Sequence, residues 1–362
     1  MHKINLLNIN YDELIFIFEK INEKKFRATQ ILNWIYKKDV IDLNQFSNFD
    51  KEIKKKISDI FFIKIPKITK EEISNDNTIK WLIEIKNNEF IETVAIPNKK
   101  GNFTICLSSQ LGCISNCSFC LTAKQGFLRN LNTDEIIGQI YNAKTRIKKI
   151  FNKKHQITNI VLMGMGEPLL NYNNVSNAIK IIKNKQGYNI SQNNITLSTC
   201  GITPGIEKLN EHNITIAVYL HATNDNLRTK LMPINKKYNI ENILNACKKY
   251  KSKNPITFEY ILIKDINDSI KDAEELTKLL KNIRCKVCII PFNKFEGSKY
   301  NEPDTKDIIN FKKHIEKSNI ITTIRKSMGK DINAACGQLK GKFADITNRK
   351  KIFEKKNEKS SI

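Results

Sequence analysis

The stretch Cys113-Ile114-Ser115-Asn116-Cys117-Ser118-Phe119-Cys120 puts three thiols on one short loop, at Cys-x3-Cys-x2-Cys spacing. That spacing lets all three face one metal centre. Structural zinc takes four ligands, and no fourth Cys or His stands nearby at finger spacing. Three ligands leave one position open, and a cubane held by three thiolates has one iron free to bind a small molecule. The competing explanation, three cysteines packed as small hydrophobes, is disfavoured by their crowding.

Downstream of this loop, strands and helices alternate. Asn132 and Thr133 cap a helix through Phe151, with Asp134 and Glu135 at its positive N-terminal end. Strand-like runs follow at Ile157 to Met163, Asn194 to Ser198, Ile214 to Leu220, Ile256 to Ile263, Lys286 to Pro291 and Ile321 to Ile324. Helical periodicity lies between most of them, at Val175 to Lys183, Gly205 to Glu211, Ile240 to Tyr250, Ile270 to Leu280 and Asp307 to Ser318. Repeated strand-helix units predict a parallel sheet with right-handed crossovers, doubly wound or curled toward a barrel. In both, chemistry belongs at the C-terminal ends of the strands.

Upstream, Ile65 to Ser108 changes to period two, with strands at Thr78 to Ile85 and Phe90 to Ile96 about Asn87 and Asn88, a hairpin signal. Before it, Tyr11 to Ile21, Ala28 to Tyr36 and Phe49 to Ile60 read as helices of a small bundle. The expected organisation is a helical, RNA-binding unit over residues 1–64, a linking hairpin region over 65–105, the strand-helix domain over 106–340 and a basic tail over 341–362. The tail, with little apolar content from Phe343 onward, is expected to fray, with a solvated helix as the default.

The chain's 61 basic and 37 acidic residues give a net charge of +24, which suggests a polyanionic partner such as nucleic acid. Seven arginines against 54 lysines, with abundant Asn and Ile, is also what AT-rich codons produce, so the charge is weaker evidence than its size implies. The longest apolar runs, such as Leu14 to Phe18, fall far short of the roughly 20 residues a membrane helix needs. Asp12 and Glu13 interrupt any leader-like segment. A cytoplasmic protein without a membrane partner is expected. Nine cysteines without a secretory signal do not suggest a disulfide scaffold. Cys285 and Cys288 make a C-x2-C pair, but on one strand they should face opposite sides.

The residues around the thiol loop narrow the field. Cys106-Leu107-Ser108-Ser109-Gln110, Gly112-Cys113, Asn116-Cys117, Phe119-Cys120 and Gln125-Gly126-Phe127 resemble the RlmN/Cfr family of radical S-adenosylmethionine (SAM) RNA adenine methyltransferases. So do Gly164-Met165-Gly166-Glu167-Pro168, Leu220-His221-Ala222 and Asp331 to Leu339. The resemblance implies a partial (β/α)6 barrel with a small N-terminal helical domain. It also implies a 4Fe-4S cluster on Cys113, Cys117 and Cys120, SAM as the second cofactor, and 23S rRNA and tRNA as partners. A flavodoxin-like electron donor and a monomeric enzyme are expected.

Adenine C2 has no lone pair with which to attack a methyl group, so a radical route is required there. By resemblance, Cys336 is methylated by a first SAM. A 5′-deoxyadenosyl radical from a second SAM then removes hydrogen from that methyl, and the methylene radical adds to C2. Glu92 matches the base that takes the C2 proton, and Cys106 the thiol that releases product by forming a disulfide with Cys336. Gly166, Glu167, Ser198, Tyr219, Leu220, His221 and Asn293 match the SAM site. The chain departs from the family pattern at Tyr219 and Cys200, where serine is expected, and in a Glu92 to Cys106 separation one residue longer. The C8-modifying branch of the family, and a noncatalytic RNA-binding protein with structural zinc, are the alternatives.

Overall fold

The computed structural model describes residues 3–151 and 155–360. Two short parallel strands, β1 (Ile4–Asn5) and β2 (Phe61–Phe62), close the N-terminal unit around helices α1 (Tyr11–Lys20), α2 (Phe26–Leu32) and α3 (Lys51–Ile60). Asn10 and Glu13 form a capping box at the start of α1, and Asp50 caps α3 by accepting from Ile53 N–H. The stretch expected to be a single helix to Tyr36 instead widens into a π-helical turn over Asn33–Lys37, where Lys38 N–H reaches Asn33 O.

Three antiparallel strands, β3 (Lys67–Ile73), β4 (Ile79–Lys86) and β5 (Glu89–Pro97), lead into β6 (Phe103–Cys106) and continue its sheet. Register along the strands is regular: Val94 pairs with Cys106 and Pro97 with Phe103.

The thiol loop is framed by a small hairpin of β7 (Gln110–Gly112) and β8 (Phe127–Asn130), with the single turn α4 (Leu121–Lys124) between. The chain then alternates through α5 (Thr133–Phe151), β9 (Ile157–Leu162), α6 (Tyr172–Lys183), β10 (Ile195–Thr199), α7 (Thr203–Lys208) and β11 (Thr215–Tyr219). It continues through α8 (Asp225–Leu231), α9 (Ile240–Lys249), β12 (Ile256–Leu262), α10 (Ile270–Leu280), β13 (Cys285–Pro291), α11 (Thr305–Glu316) and β14 (Ile321–Ile324), and ends in α12 (Arg349–Ser360).

Ten strands form one sheet in the order β14-β13-β12-β11-β10-β9-β6-β5-β4-β3, parallel from β6 to β14. Alternation sorts the side chains. On β12, Phe258 and Tyr260 face the helices, where Tyr260 stacks on Phe311 of α11 at 5.4 Å, while Thr257, Glu259 and Ile261 point the other way. The inward residues of β5, β6 and β9–β14 border a single cavity, so the sheet curls into a partial barrel rather than lying open. Cys285 and Cys288 do face opposite sides, and Cys288 alone of the two lines the cavity.

The N-terminal unit shares a continuous apolar core with the barrel. Its edge is pinned to α5: Tyr141 Oη donates to Asp39 O at 2.8 Å, and Lys144 Nζ lies 2.6 Å from the Asp39 carboxylate. Among the described residues, no helix is long and apolar enough to cross a membrane.

Candidate active site

The cavity, about 460 Å³, runs along the inner faces of the parallel strands and takes in residues at their C-terminal ends, among them Cys106 and Tyr219. Cys113, Cys117 and Cys120 border one end. Their loop is held by backbone groups: Cys113 N–H donates to Gly126 O (2.8 Å), Ser118 N–H to Leu231 O (2.8 Å) and Leu121 N–H to Gly337 O (2.8 Å). Gly126 has φ +87°, and a Cβ there would fall 1.9 Å from the carboxylate of Asp345, so the turn after the loop requires glycine. Burial, with the neighbouring thiols of Cys200 and Cys120, pushes the Cys113 thiol up.

A second turn, Gly164 to Glu167, follows β9 and is stitched to the chain after β6. Met165 N–H donates to Ser108 Oγ (2.9 Å) and Glu167 N–H to Gln110 Oε1 (2.9 Å). Gly164 and Gly166 line the cavity, but Glu167 does not. The Glu167 carboxylate is buried and accepts from Leu169 N–H (3.1 Å) and Cys200 N–H (2.6 Å), so it braces the turn and the end of β10. Its pKa is raised by burial against those two donors.

Beyond β11, Tyr219 and His221 form an aromatic wall with ring centroids 5.2 Å apart, and Phe119 meets His221 edge-on at 4.9 Å. His221 accepts at Nδ1 from Ile261 N–H (3.0 Å), which leaves its proton on Nε2. Burial, reinforced by the Arg228 cation, lowers its pKa to about 3, so the ring is neutral. Tyr219 donates to Ser198 Oγ (2.6 Å), and Ser198 in turn donates to Leu162 O (2.9 Å). The Ser198 hydroxyl is therefore engaged behind the tyrosine, and neither Ser198 nor Leu220 lines the cavity.

Cys106, Cys336 and Asn293 do line it. Cys336 is exposed, whereas Cys106 is buried at the end of β6. Asn293 Nδ2 donates to Cys336 O (3.2 Å), fixing the backbone that carries the thiol, and Arg325 donates to Cys336 Sγ (3.4 Å). Burial, then the nearby Cys336, pushes the Cys106 thiol up to about 12. Iodoacetamide at pH 8 should therefore label Cys336 before Cys106. Cys106 labelling should rise about tenfold per pH unit as its thiolate fraction grows. Peptide mapping reads both rates, and equal labelling at pH 8 would contradict this ordering.

Glu92 stands beside the cavity, on the β5 face that presents Val94 and Ile96 to it. Its carboxylate is buried, 3.1 Å from Lys80 Nζ, and accepts from Lys340 N–H at 2.7 Å. Desolvation raises its pKa against both partners.

Sequence reasoning missed two residues that share this space. Glu259, fully buried on β12, pairs with Arg325, while its Oε2 has no hydrogen-bond partner among the described residues and is free to accept from a bound molecule. An acidic residue in the midst of Ile256-Thr257-Phe258-Glu259-Tyr260-Ile261-Leu262 was the available signal.

Among the described residues, no three His, Cys, Asp or Glu side chains close around a single ion. The thiols of Cys113, Cys117 and Cys120 instead border one end of a cavity, a donor set that suits an iron-sulfur cluster better than tetrahedral zinc. The residues present fit both the cluster and a nucleoside-sized ligand beside it.

Comparison with known proteins agrees. The model of the radical SAM superfamily matches residues 107–280, and that of the ribosomal RNA large subunit methyltransferase N-terminal domain matches residues 4–63. The chain is 45% identical over 362 residues to a dual-specificity RNA methyltransferase RlmN of Francisella tularensis, covering 98% of this chain and 97% of that protein. It is 50% identical over 346 residues to the protein of the same name from Buchnera aphidicola, covering 93% and 96%. A crystal structure of a radical SAM methyltransferase from Sphaerobacter thermophilus superposes with a TM-score of 0.86 at 34% identity, covering 93% of this chain and 99% of that one.

Proposed function

We infer the reaction of this chain from one premise: the chain belongs to the RlmN family of radical SAM RNA methyltransferases. Its target in our reading is C2 of adenine, in 23S rRNA and in tRNA at the adenine 3′ of the anticodon. The observation that carries this reading is that Cys106 and Cys336 line the same cavity as Cys113, Cys117 and Cys120.

When bound, the cluster and SAM supply the one-electron chemistry that C2 requires, with the electron coming from a flavodoxin-like donor. The protein's own groups do the rest. Cys336, exposed and touched by Arg325, accepts the methyl group and carries it to the RNA. Glu92 takes the C2 proton, its affinity for that proton raised by burial, and the odd electron left on the adduct would return to the cluster. Cys106 sulfur then attacks Cys336 sulfur, breaking the bond to the transferred carbon. That carbon takes a proton, and a Cys106–Cys336 disulfide remains to be reduced before the next cycle. Gly164 and Gly166 leave room for the methionine end of SAM, while Tyr219, neutral His221 and Asn293 wall its remainder. The lysine-rich surface, including exposed Lys51 and Lys55 on α3, offers the phosphate contacts that hold RNA.

Two measurements test this reading. Protein prepared anaerobically should be brown and contain iron and sulfide; a colourless protein with stoichiometric zinc would sink it. Nuclease-digested RNA methylated by the enzyme should yield 2-methyladenosine by mass spectrometry. 8-Methyladenosine would move the chain to the C8 branch.

A further inference from the structure

Cys200 has no task in this scheme, yet it stands at the cluster end of the cavity. Its Sγ lies 4.0 Å from Cys117 Sγ, and it is close enough to Cys113 and Cys120 to act on both electrostatically. The thiol is held there from behind. Its backbone N–H donates to Glu167 (2.6 Å), its carbonyl accepts from Arg228 (2.8 Å), and Gly201 turns the chain away at φ +96°. With the backbone fixed on both sides, only rotation about the Cα–Cβ bond remains to move the sulfur.

Four thiols thus surround one end of a cavity whose other residues suit a small ligand. Thiolate is a much better iron ligand than the serine hydroxyl that the family resemblance leads one to expect here. Cys200 also follows β10, whose end Glu167 ties to the Gly164–Glu167 turn. That turn is the side of the cluster on which SAM must enter if its methionine end lies over these glycines.

We propose that Cys200 is a fourth, exchangeable ligand of the cluster site. Without SAM it occupies the iron that Cys113, Cys117 and Cys120 leave open, and incoming SAM displaces it. This rests on the iron-sulfur reading above. The exchange moves no electrons. An iron–sulfur bond forms as Cys200 gives a proton to solvent, and that bond breaks as SAM takes the position and the thiol recovers a proton.

A cluster with an open iron loses that iron readily on oxidation, leaving a three-iron species with its own electron paramagnetic resonance signal. The test compares wild-type protein with Cys200→Ser and Cys200→Ala, all reconstituted anaerobically to equal iron and sulfide and titrated with ferricyanide in the absence of SAM. The variants should give several times more three-iron signal than wild type at the same oxidant dose. They should also bind SAM about tenfold more tightly, if the thiolate-capped form makes up about nine-tenths of the SAM-free wild type. Equal three-iron yields, or unchanged SAM affinity, would overturn the proposal. Wild-type protein that holds no iron and sulfide would overturn the reading beneath it instead. The alanine variant separates loss of a ligand from weak ligation by serine oxygen.

Discussion

Cys106→Ala protein purified from cells should carry covalently attached RNA and run on a denaturing gel as a shifted, nuclease-sensitive band. Cys106 lies at the end of β6 and lines the cavity with Cys336, while the segment bearing Cys336 is tied to Asn293 and Arg325. In the proposed reaction, removing Cys106 takes away the sulfur that would release the carbon from Cys336 but leaves every group that would form the adduct. Turnover should fall to background while the adduct accumulates. Cys336→Ala should give neither product nor adduct, and the Cys106→Ala/Cys336→Ala pair should match it. If Cys106 were only packing, alanine would cost a little stability and leave turnover intact. Normal product from Cys106→Ala, without a shifted band, would remove it from the reaction.

The second large effect is on stability. Arg228 is fully buried, and its guanidinium donates to Leu220 O (3.1 Å), Asn235 Oδ1 (2.7 Å), Tyr238 O (3.2 Å), Cys200 O (2.8 Å) and Tyr219 O (2.9 Å). One side chain thus ties together the ends of β10 and β11, the strands that deliver Cys200, Tyr219 and His221. Arg228→Leu would leave several buried carbonyls without donors, at a cost of about 3–5 kcal/mol. The midpoint of urea unfolding should drop accordingly. Arg284, which makes one exposed bond to Lys253 O, is the control: Arg284→Leu should change stability by about 0.5 kcal/mol or less. A loss below about 1 kcal/mol in Arg228→Leu would show that the carbonyls find other donors.

Parallel strands such as β11 and β12 are legible in the sequence because burial on both faces makes them mostly apolar runs. Strand β3 is not, because Lys67-Ile68-Thr69-Lys70-Glu71-Glu72-Ile73 lies at the edge of the sheet, where charge is tolerated on both faces. Helix α8 escapes notice because its seven residues, Asp225–Leu231, show too short a pattern, although they carry Arg228. The thiol loop announces itself through spacing. Glu92 and Cys106 do not: only resemblance singles them out, and only the fold supplies Lys80 and Lys340 as partners of Glu92. The charged tail misleads in the other direction. Phe343 is buried, Asp345 accepts from Phe127 N–H (3.1 Å), Thr347 N–H (2.8 Å) and Lys350 N–H (2.9 Å), and Arg349 donates to Cys113 O (2.8 Å). Such docking uses a carboxylate and backbone groups, which composition cannot reveal.

This docking also bears on the timing of synthesis. Gln125, just past the thiol loop, exchanges two hydrogen bonds with Gly341, a residue 216 positions further along the chain. At a ribosomal pace of about 5–20 residues per second, the loop waits roughly ten to forty seconds before the strap that covers it has been made. During that interval the strands that complete the cavity wall are still being added, and Cys113, Cys117 and Cys120 lack their later neighbours. If the loop holds the proposed iron-sulfur cluster, iron and sulfide delivered to a nascent chain would meet a half-built receptacle, so loading is expected after release, when the last segment folds back over the loop.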